Sequence, residues 1–97
     1  MIIKRDGSKV PFDQQKIINA IHAAFMEVDG RIYETDTAED ISNEIALTVL
    51  RSPIDIEVET IQDWVEDYLM RSERRDVARA YIRYRYKKEV ARSYNDD

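Results

Sequence analysis

Only two glycines and two prolines interrupt these 97 residues, and that scarcity constrains the fold more than any other feature. An all-β domain needs a turn about every ten residues, and turns draw heavily on glycine and proline. The chain therefore reads as helices joined by short connections. Its length suits one small domain over residues 1–97, with a real core but little reserve of stability. No apolar run approaches the ~18 residues of a membrane helix. Met1 leads straight into patterned sequence, so no secretory leader is expected. There is no cysteine, so disulfides and thiolate metal sites are excluded. The cytoplasm is the expected compartment, with no membrane partner.

The pattern along the chain fills in the elements. Met1-Ile2-Ile3-Lys4 is β-prone, and Arg5-Asp6-Gly7-Ser8 carries an Asp-Gly turn signal. Lys9-Val10-Pro11-Phe12 reads as the return strand, confined to an edge because Pro11 has no N–H for a ladder. Asp13 is a good N-cap for a first helix whose face is Ile17, Ile18, Ile21, Ala24, Phe25 and Val28, and Asp29-Gly30 ends it. Asp36-Thr37-Ala38-Glu39 has capping-box spacing, and Ala38, Ile41, Ile45 and Val49 mark a second helix that Ser52-Pro53 stops. Residues 54–58 alternate apolar and acidic, as a short half-buried strand does. Ile61, Val65, Tyr68 and Leu69 mark a third helix, with Trp64 beside that face. Ser72 is a candidate cap for a fourth, whose face is Val77, Ala80, Tyr81, Tyr84 and Ala91, and the tail from Ser93 reads as an unfinished end. No helix here can bury its face alone. The expected fold is α+β: a four-helix bundle capped by a small sheet, the N-terminal hairpin plus a short third strand.

Net charge is −5, which disfavours non-specific binding to nucleic acid. Residues 1–26 carry four basic and two acidic side chains, residues 27–76 five and fifteen, and residues 77–97 six and three. Two readings stand side by side. The basic ends converge on a small anion, or all of it is solubilising surface. Lys16 sharpens the question. With Asp13 as N-cap it falls in the first helical turn, the partly positive end where a cation is disfavoured by a few tenths of a kcal/mol, roughly. Lys4 and Arg5 precede the hairpin turn, and the return strand delivers the chain to this same helix start. Three cations and free helix N–H groups would then share one region suited to a polyphosphate. The alternative is three separate solvated cations.

Ile2-Ile3-Lys4-Arg5-Asp6-Gly7, then Phe12-Asp13, then Lys16-Ile17 resembles the N-terminal signature of the ATP-cone. Val58-Glu59-Thr60-Ile61-Gln62-Asp63 and the run from Val77 to Arg85 are also similar to that family, so the resemblance spans nearly the whole chain. It implies a non-catalytic domain with ATP or dATP between bundle and sheet; Mg²⁺ bridging the phosphates, with few protein ligands, is expected from their chemistry. Carried over position by position, Lys4, Arg5 and Lys16 hold phosphates, Lys87 is a further phosphate contact, and Ile2, Val58 and Gln62 lie near the base. The family's cones sit at the N-terminus of ribonucleotide reductases, where ATP permits activity and dATP stops it. The run Tyr81-Ile82-Arg83-Tyr84-Arg85 most resembles the anaerobic, glycyl-radical class. The implied partners are adenine nucleotide, the catalytic domain of the same full-length enzyme and further copies of that enzyme.

Cones also occur in a transcriptional repressor of reductase genes, behind a cysteine-rich zinc ribbon. A chain that starts at the cone without cysteine disfavours that alternative. A ligand-free helical interaction module is the third reading. His22, the one histidine, has no partner at ligand spacing and reads as structural. Asp63, Glu66 and Asp67 read as a wet helix face, and Trp64 and the six tyrosines as core or interface. There is no Gly-rich loop followed by Lys-Ser/Thr and no Ser/His/Asp set, so binding without chemistry is expected. Lys16→Ala is expected to weaken nucleotide binding while leaving the empty domain as stable or slightly more so. His22→Ala is expected to leave affinity unchanged. ATP titrations and thermal melts of the two variants check this; loss of binding with His22→Ala alone would move the site elsewhere.

Overall fold

A computed structural model describes residues 1–31 and 37–95. The first turn closes where the Gly7 N–H donates to the Lys4 carbonyl at 2.9 Å, while the Lys4 N–H donates to the Ser8 carbonyl at 2.8 Å. Gly7 has φ +86°, a left-handed conformation in which a Cβ is penalised. Asp6 Oδ1 accepts from the Ser8 N–H at 2.9 Å and from Ser8 Oγ at 2.6 Å. Those bonds hold the Asp6 carboxyl below its ordinary 3.8. The turn joins β1 (Ile2–Ile3) to β2 (Lys9–Val10), antiparallel, with Ile2 opposite Val10. β2 stops at Val10 and does not run on through Phe12, because Pro11 offers no ladder donor.

The third strand is shorter than the alternation over 54–58 predicts. β3 is Ile56–Glu57, parallel to β1, in the sheet order β2-β1-β3. Its partner β1 is only two residues long, so nothing further can pair. Ile54 remains 74% exposed, and Val58 is already the first residue of a helix. Lys9 Nζ reaches Asp55 at 3.0 Å, tying the edge strand to the approach of β3. Asp55 is held below its ordinary 3.8 by Lys9 and the terminal amine, so this tie is intact above that value and is lost as pH falls through the lowered one.

The helices are α1 (Gln14–Asp29), α2 (Thr37–Arg51), α3 (Val58–Arg71) and α4 (Arg75–Asn95). Asp13 caps α1 by accepting the Gln15 N–H at 3.0 Å, and Gly30, at φ +70°, ends it. Asp36, the expected cap of α2, lies outside the described residues. α1 packs on α2 and α4, and α3 packs on the same two, closing a ring of four. Ile21, Ile45, Val65, Leu69 and Val77 are its fully buried centre. Ser42 is also buried, with its hydroxyl donating to the Glu39 carbonyl and accepting from Gln14 Nε2. The architecture is the α+β bundle with a small three-stranded cap that the sequence predicts.

The turn between α3 and α4 departs from expectation. Ser72 ends α3 and does not begin α4: its Oγ donates to the Leu69 carbonyl at 2.6 Å. α4 starts at Arg75, with Asp76 Oδ1 accepting the Val77 N–H. Arg74 donates to Asp29 at 2.9 Å and to Asp76 at 3.0 Å, and lies 5.5 Å over the Phe25 ring. It thereby offsets a carboxylate at the partly negative end of α1. The tail from Ser93, expected to be an unfinished end, is helical through Asn95, and the Ala91 side chain falls outside the described set.

Between Ser72 and Arg74 the chain passes through Glu73 at φ +68°, the one non-glycine positive φ among the described residues. Left-handed backbone costs an L-residue ~1–2 kcal/mol, and glycine's extra unfolded-state freedom offsets part of the relief. Glu73→Gly is therefore expected to stabilise the domain by about 0.5–1 kcal/mol, raising Tm by roughly 2–8 °C. A thermal melt showing destabilisation would mean that the Glu73 side chain contributes more than its backbone loses.

Candidate functional site

The sheet and three of the four helices enclose a cavity of about 380 Å³, within the usual range for small-molecule sites. The hairpin supplies Ile2, Lys4 and Arg5, and its exit supplies Val10, Pro11 and Phe12. α1 supplies Lys16, Ile17, Asn19 and Ala20, with its cap Asp13. α3 supplies Val58, Ile61 and Gln62. α4 supplies Tyr81, Tyr84, Arg85, Lys88 and Glu89. No lining residue comes from α2.

Six residues picked out in the sequence meet here: Ile2, Lys4, Arg5, Lys16, Val58 and Gln62. Lys87 does not line the cavity; it is exposed, and Lys88 lines it. One residue along a helix is a rotation of ~100°. Lys88 is four residues beyond Tyr84 and so shares its face, with Nζ 5.5 Å from the Tyr84 ring centre. The sequence reading brought α4 to the site through Lys87 and missed the α4 residues that line it, Tyr81, Tyr84, Arg85, Lys88 and Glu89. Their signal was the continuation of the Val77, Tyr81, Tyr84 stripe to Lys88. Tyr84, read as core or interface, faces the cavity.

Arg5 is the hub. Its side chain is only 21% exposed, Nη2 donates to Gln62 Oε1 at 3.1 Å, and Nη1 lies 3.0 Å from Glu89 and 3.7 Å from Glu59. Its Nε–H is buried without a hydrogen-bond partner. An unsatisfied buried donor costs roughly 1–3 kcal/mol. Because a guanidinium can only donate, Arg5 fixes which end of the Gln62 amide it meets and leaves the amide's donors for another partner.

Arg85 lines the cavity but is already engaged. It donates to Asp63 at 2.8 Å and to Glu66 at 2.7 Å. Burial works against its charge, and the two carboxylates outweigh that and raise its affinity for the proton. Burial pushes the Tyr81 phenol up, so it stays protonated. The expectation of free N–H groups at the start of α1 needs correction. Asp13 occupies two: its carboxylate takes the Gln15 N–H and its carbonyl the Lys16 N–H at 3.2 Å. The side chains of Lys4, Arg5 and Lys16 therefore add full charges to a helix start with fewer N–H groups to offer. His22 is half-buried in α1 and does not line the cavity. Among the described residues, no group of three or more His, Asp or Glu is placed to hold a metal, and no helix is long and apolar enough to cross a membrane.

The site is thus a pocket with Lys4, Arg5, Lys16 and Lys88 about it and an apolar wall of Ile2, Val58 and Ile61. A second, more open hollow near Trp64 carries Arg51 alongside Asp55 and Glu57, so its charge does not favour an anion.

Comparison with known proteins gives this geometry a family. The family model of the ATP cone domain matches residues 1–90. An anaerobic ribonucleoside-triphosphate reductase of Haemophilus influenzae is 41% identical over 93 residues, covering 94% of this chain and 13% of that protein. A vitamin B12-dependent ribonucleoside-diphosphate reductase of Thermoplasma acidophilum is 38% identical over 96 residues, covering 94% and 12%. A ribonucleoside-diphosphate reductase subunit alpha of Treponema pallidum is 35% identical over 100 residues, again covering 94% and 12%. The chain thus spans about an eighth of the length of these relatives. A match over almost the whole chain, shared by three differently named reductases, assigns it: the chain belongs to the ATP-cone domain family.

Proposed function

We propose that this cavity binds ATP or dATP and that the domain regulates a ribonucleotide reductase of which it forms part, without catalysing a reaction itself. One observation carries the reading: a single cavity joins a cation group to an apolar wall. Lys4, Arg5, Lys16 and Lys88 are the phosphate partners, the compact ammonium groups acting as point charges and Arg5 as a fork. Ile2 and Val58 give the base an apolar seat, and Gln62 offers its amide donors to a ring nitrogen. The buried, unpartnered Arg5 Nε–H fits such a ligand, since an acceptor brought alongside would satisfy it. Mg²⁺ would arrive with the phosphates, holding most of its ligands as phosphate oxygen and water.

Regulation requires more than binding. A ligand that binds two states equally shifts neither. ATP and dATP share base and phosphates, so the cations cannot tell them apart; the difference must arise at the ribose and be read out by a partner surface. Trp64 and Tyr68 on α3, both half-buried, are the large side chains there that remain outside the cavity. In a full-length reductase carrying this domain, ATP and dATP are expected to give different assemblies and different activities. Light scattering with activity assays checks it, and identical assemblies with equal activity would remove the switch.

For the isolated domain, nucleotide at a hundredfold excess over Kd should stabilise by ~2.7 kcal/mol, raising Tm by about ten degrees or more. Melting curves unmoved by millimolar ATP and dATP, with and without Mg²⁺, would leave the ligand-free interaction module as the better reading. The α4 register gives a sharper test. Lys88→Ala should weaken ATP binding about tenfold, and Lys87→Ala by less than about twofold. Calorimetric titration distinguishes them, and the reverse order would place the α4 contact one residue earlier.

A further inference from the structure

Arg5, like Arg85, is held by carboxylates. Glu89 Oε1 lies 3.0 Å from its Nη1, with Glu59 farther off at 3.7 Å. Glu89 itself lines the cavity, beside Lys88. A carboxylate so placed against one of the cavity's cations, with Asp13 the other acidic residue of the lining, does two things. It neutralises part of the repulsion among the cations while the site is empty. It also occupies the arginine edge that a phosphate would take, and repels that phosphate at close range.

We propose that Glu89 is a resident competitor for the phosphates, a residue that sets the affinity and charge selectivity of the site. Resting on the nucleotide reading above, this assigns Glu89 a role separate from the binding residues. A polyphosphate seats on Arg5 only by displacing the Glu89 carboxylate. The exchange replaces one negative partner of Arg5 by a more highly charged one, so it favours triphosphates over ligands with little charge. Because both Glu89 and Arg5 are partly solvated, the pair is weak enough to be displaced. The resulting site binds more weakly than its cations alone would allow, and its occupancy stays responsive to nucleotide concentration.

The test compares the wild-type chain with Glu89→Gln, Glu59→Gln and Glu27→Gln by calorimetric titration with ATP, inorganic tripolyphosphate and adenosine. Glu27 is on α1 beside Arg83, away from the cavity, and controls for the loss of one negative charge anywhere. Glu89→Gln should tighten ATP and tripolyphosphate about three- to tenfold and leave adenosine unchanged. Glu59→Gln, at the longer distance, should give a smaller gain, and Glu27→Gln less than about twofold. Unchanged or weaker ATP binding by Glu89→Gln overturns the proposal; weaker binding of Mg²⁺–ATP in particular would make Glu89 a cation partner. An equal gain from Glu27→Gln overturns it too, since net charge alone would then suffice. Failure of the wild type and all variants to bind ATP or tripolyphosphate overturns the nucleotide reading and the competitor with it. Binding by the wild type without the Glu89 effect removes only the competitor.

Discussion

The cavity depends on the two residues of β1. Ile2 is paired with Val10 on one side and with Ile56 on the other, and its side chain is buried against the bundle. The first pairing is local, closed by a tight turn. The second joins residues more than fifty positions apart, and it fixes the hairpin against the start of α3. Because β3 runs directly into α3 without a loop, the parallel pairing also sets where Val58, Ile61 and Gln62 lie relative to Lys4 and Arg5. Strands this short contribute few hydrogen bonds. Their position is secured instead by the burial of Ile2 and Ile56 and by the Lys9–Asp55 ion pair that spans the sheet.

What could be read from the sequence was what is encoded locally. The Asp-Gly turn, the Asp13 cap, the Gly30 stop and the apolar faces of the helices each depend on residues within one or two turns of chain. The meeting of Lys4, Arg5 and Lys16 was legible for the same reason, since the hairpin returns the chain to the start of α1. The misreadings fall where a local signal competes with a distant one. Val58 continues the alternation of a strand, but β1 has no residue left to pair with it, so it opens α3. Ser72 has the chemistry of an N-cap, and the same hydroxyl serves equally well bonded back to the Leu69 carbonyl at the end of α3. Lys87 and Lys88 differ by a rotation that the sequence does not specify, because it depends on how α4 turns against α1 and α3. The carboxylates around Arg5 come from α3 and α4, and no spacing along the chain relates them to the hairpin.

The acidic character of the chain and the positive cavity are compatible because the acid is used in place. Asp63 and Glu66 hold Arg85, Asp29 and Asp76 hold Arg74, and Asp13 caps the helix that carries Lys16. Each such pair sits on a part-solvated surface and contributes little to stability by itself. Their larger effect is on geometry. The buried Val77, Ala78, Ala80 and Tyr81 fix the face that α4 turns to the core, and Arg85, bonded to two carboxylates of α3, agrees with the rotation that brings Tyr84 and Lys88 to the cavity and leaves Lys87 outside it. Arg74 performs the corresponding task at the other end, clamping the α3–α4 turn onto the last turn of α1 and the Phe25 ring.

That arrangement bears on how a ligand in the cavity can be felt elsewhere. The lining comes from the hairpin, α1, α3 and α4, while α2 contributes no residue to it and packs on α1 and α3 from outside. A molecule touching Lys4, Lys16 and Lys88 would bridge the hairpin, α1 and α4, which also meet through Arg5 and its carboxylates, the Arg83–Glu27 ion pair and the core. Any closing on such a ligand would move the cavity-lining elements relative to one another, α2 not being among them. A packed core does not deform continuously, so such a movement is taken up where side chains can exchange partners. The part-solvated contacts of Arg5 with Glu59 and Glu89 can exchange in this way; the buried contacts of Ile21, Leu69 and Val77 cannot. The centre of the domain is buried apolar packing, and the charged contacts able to exchange partners lie at one edge of the cavity.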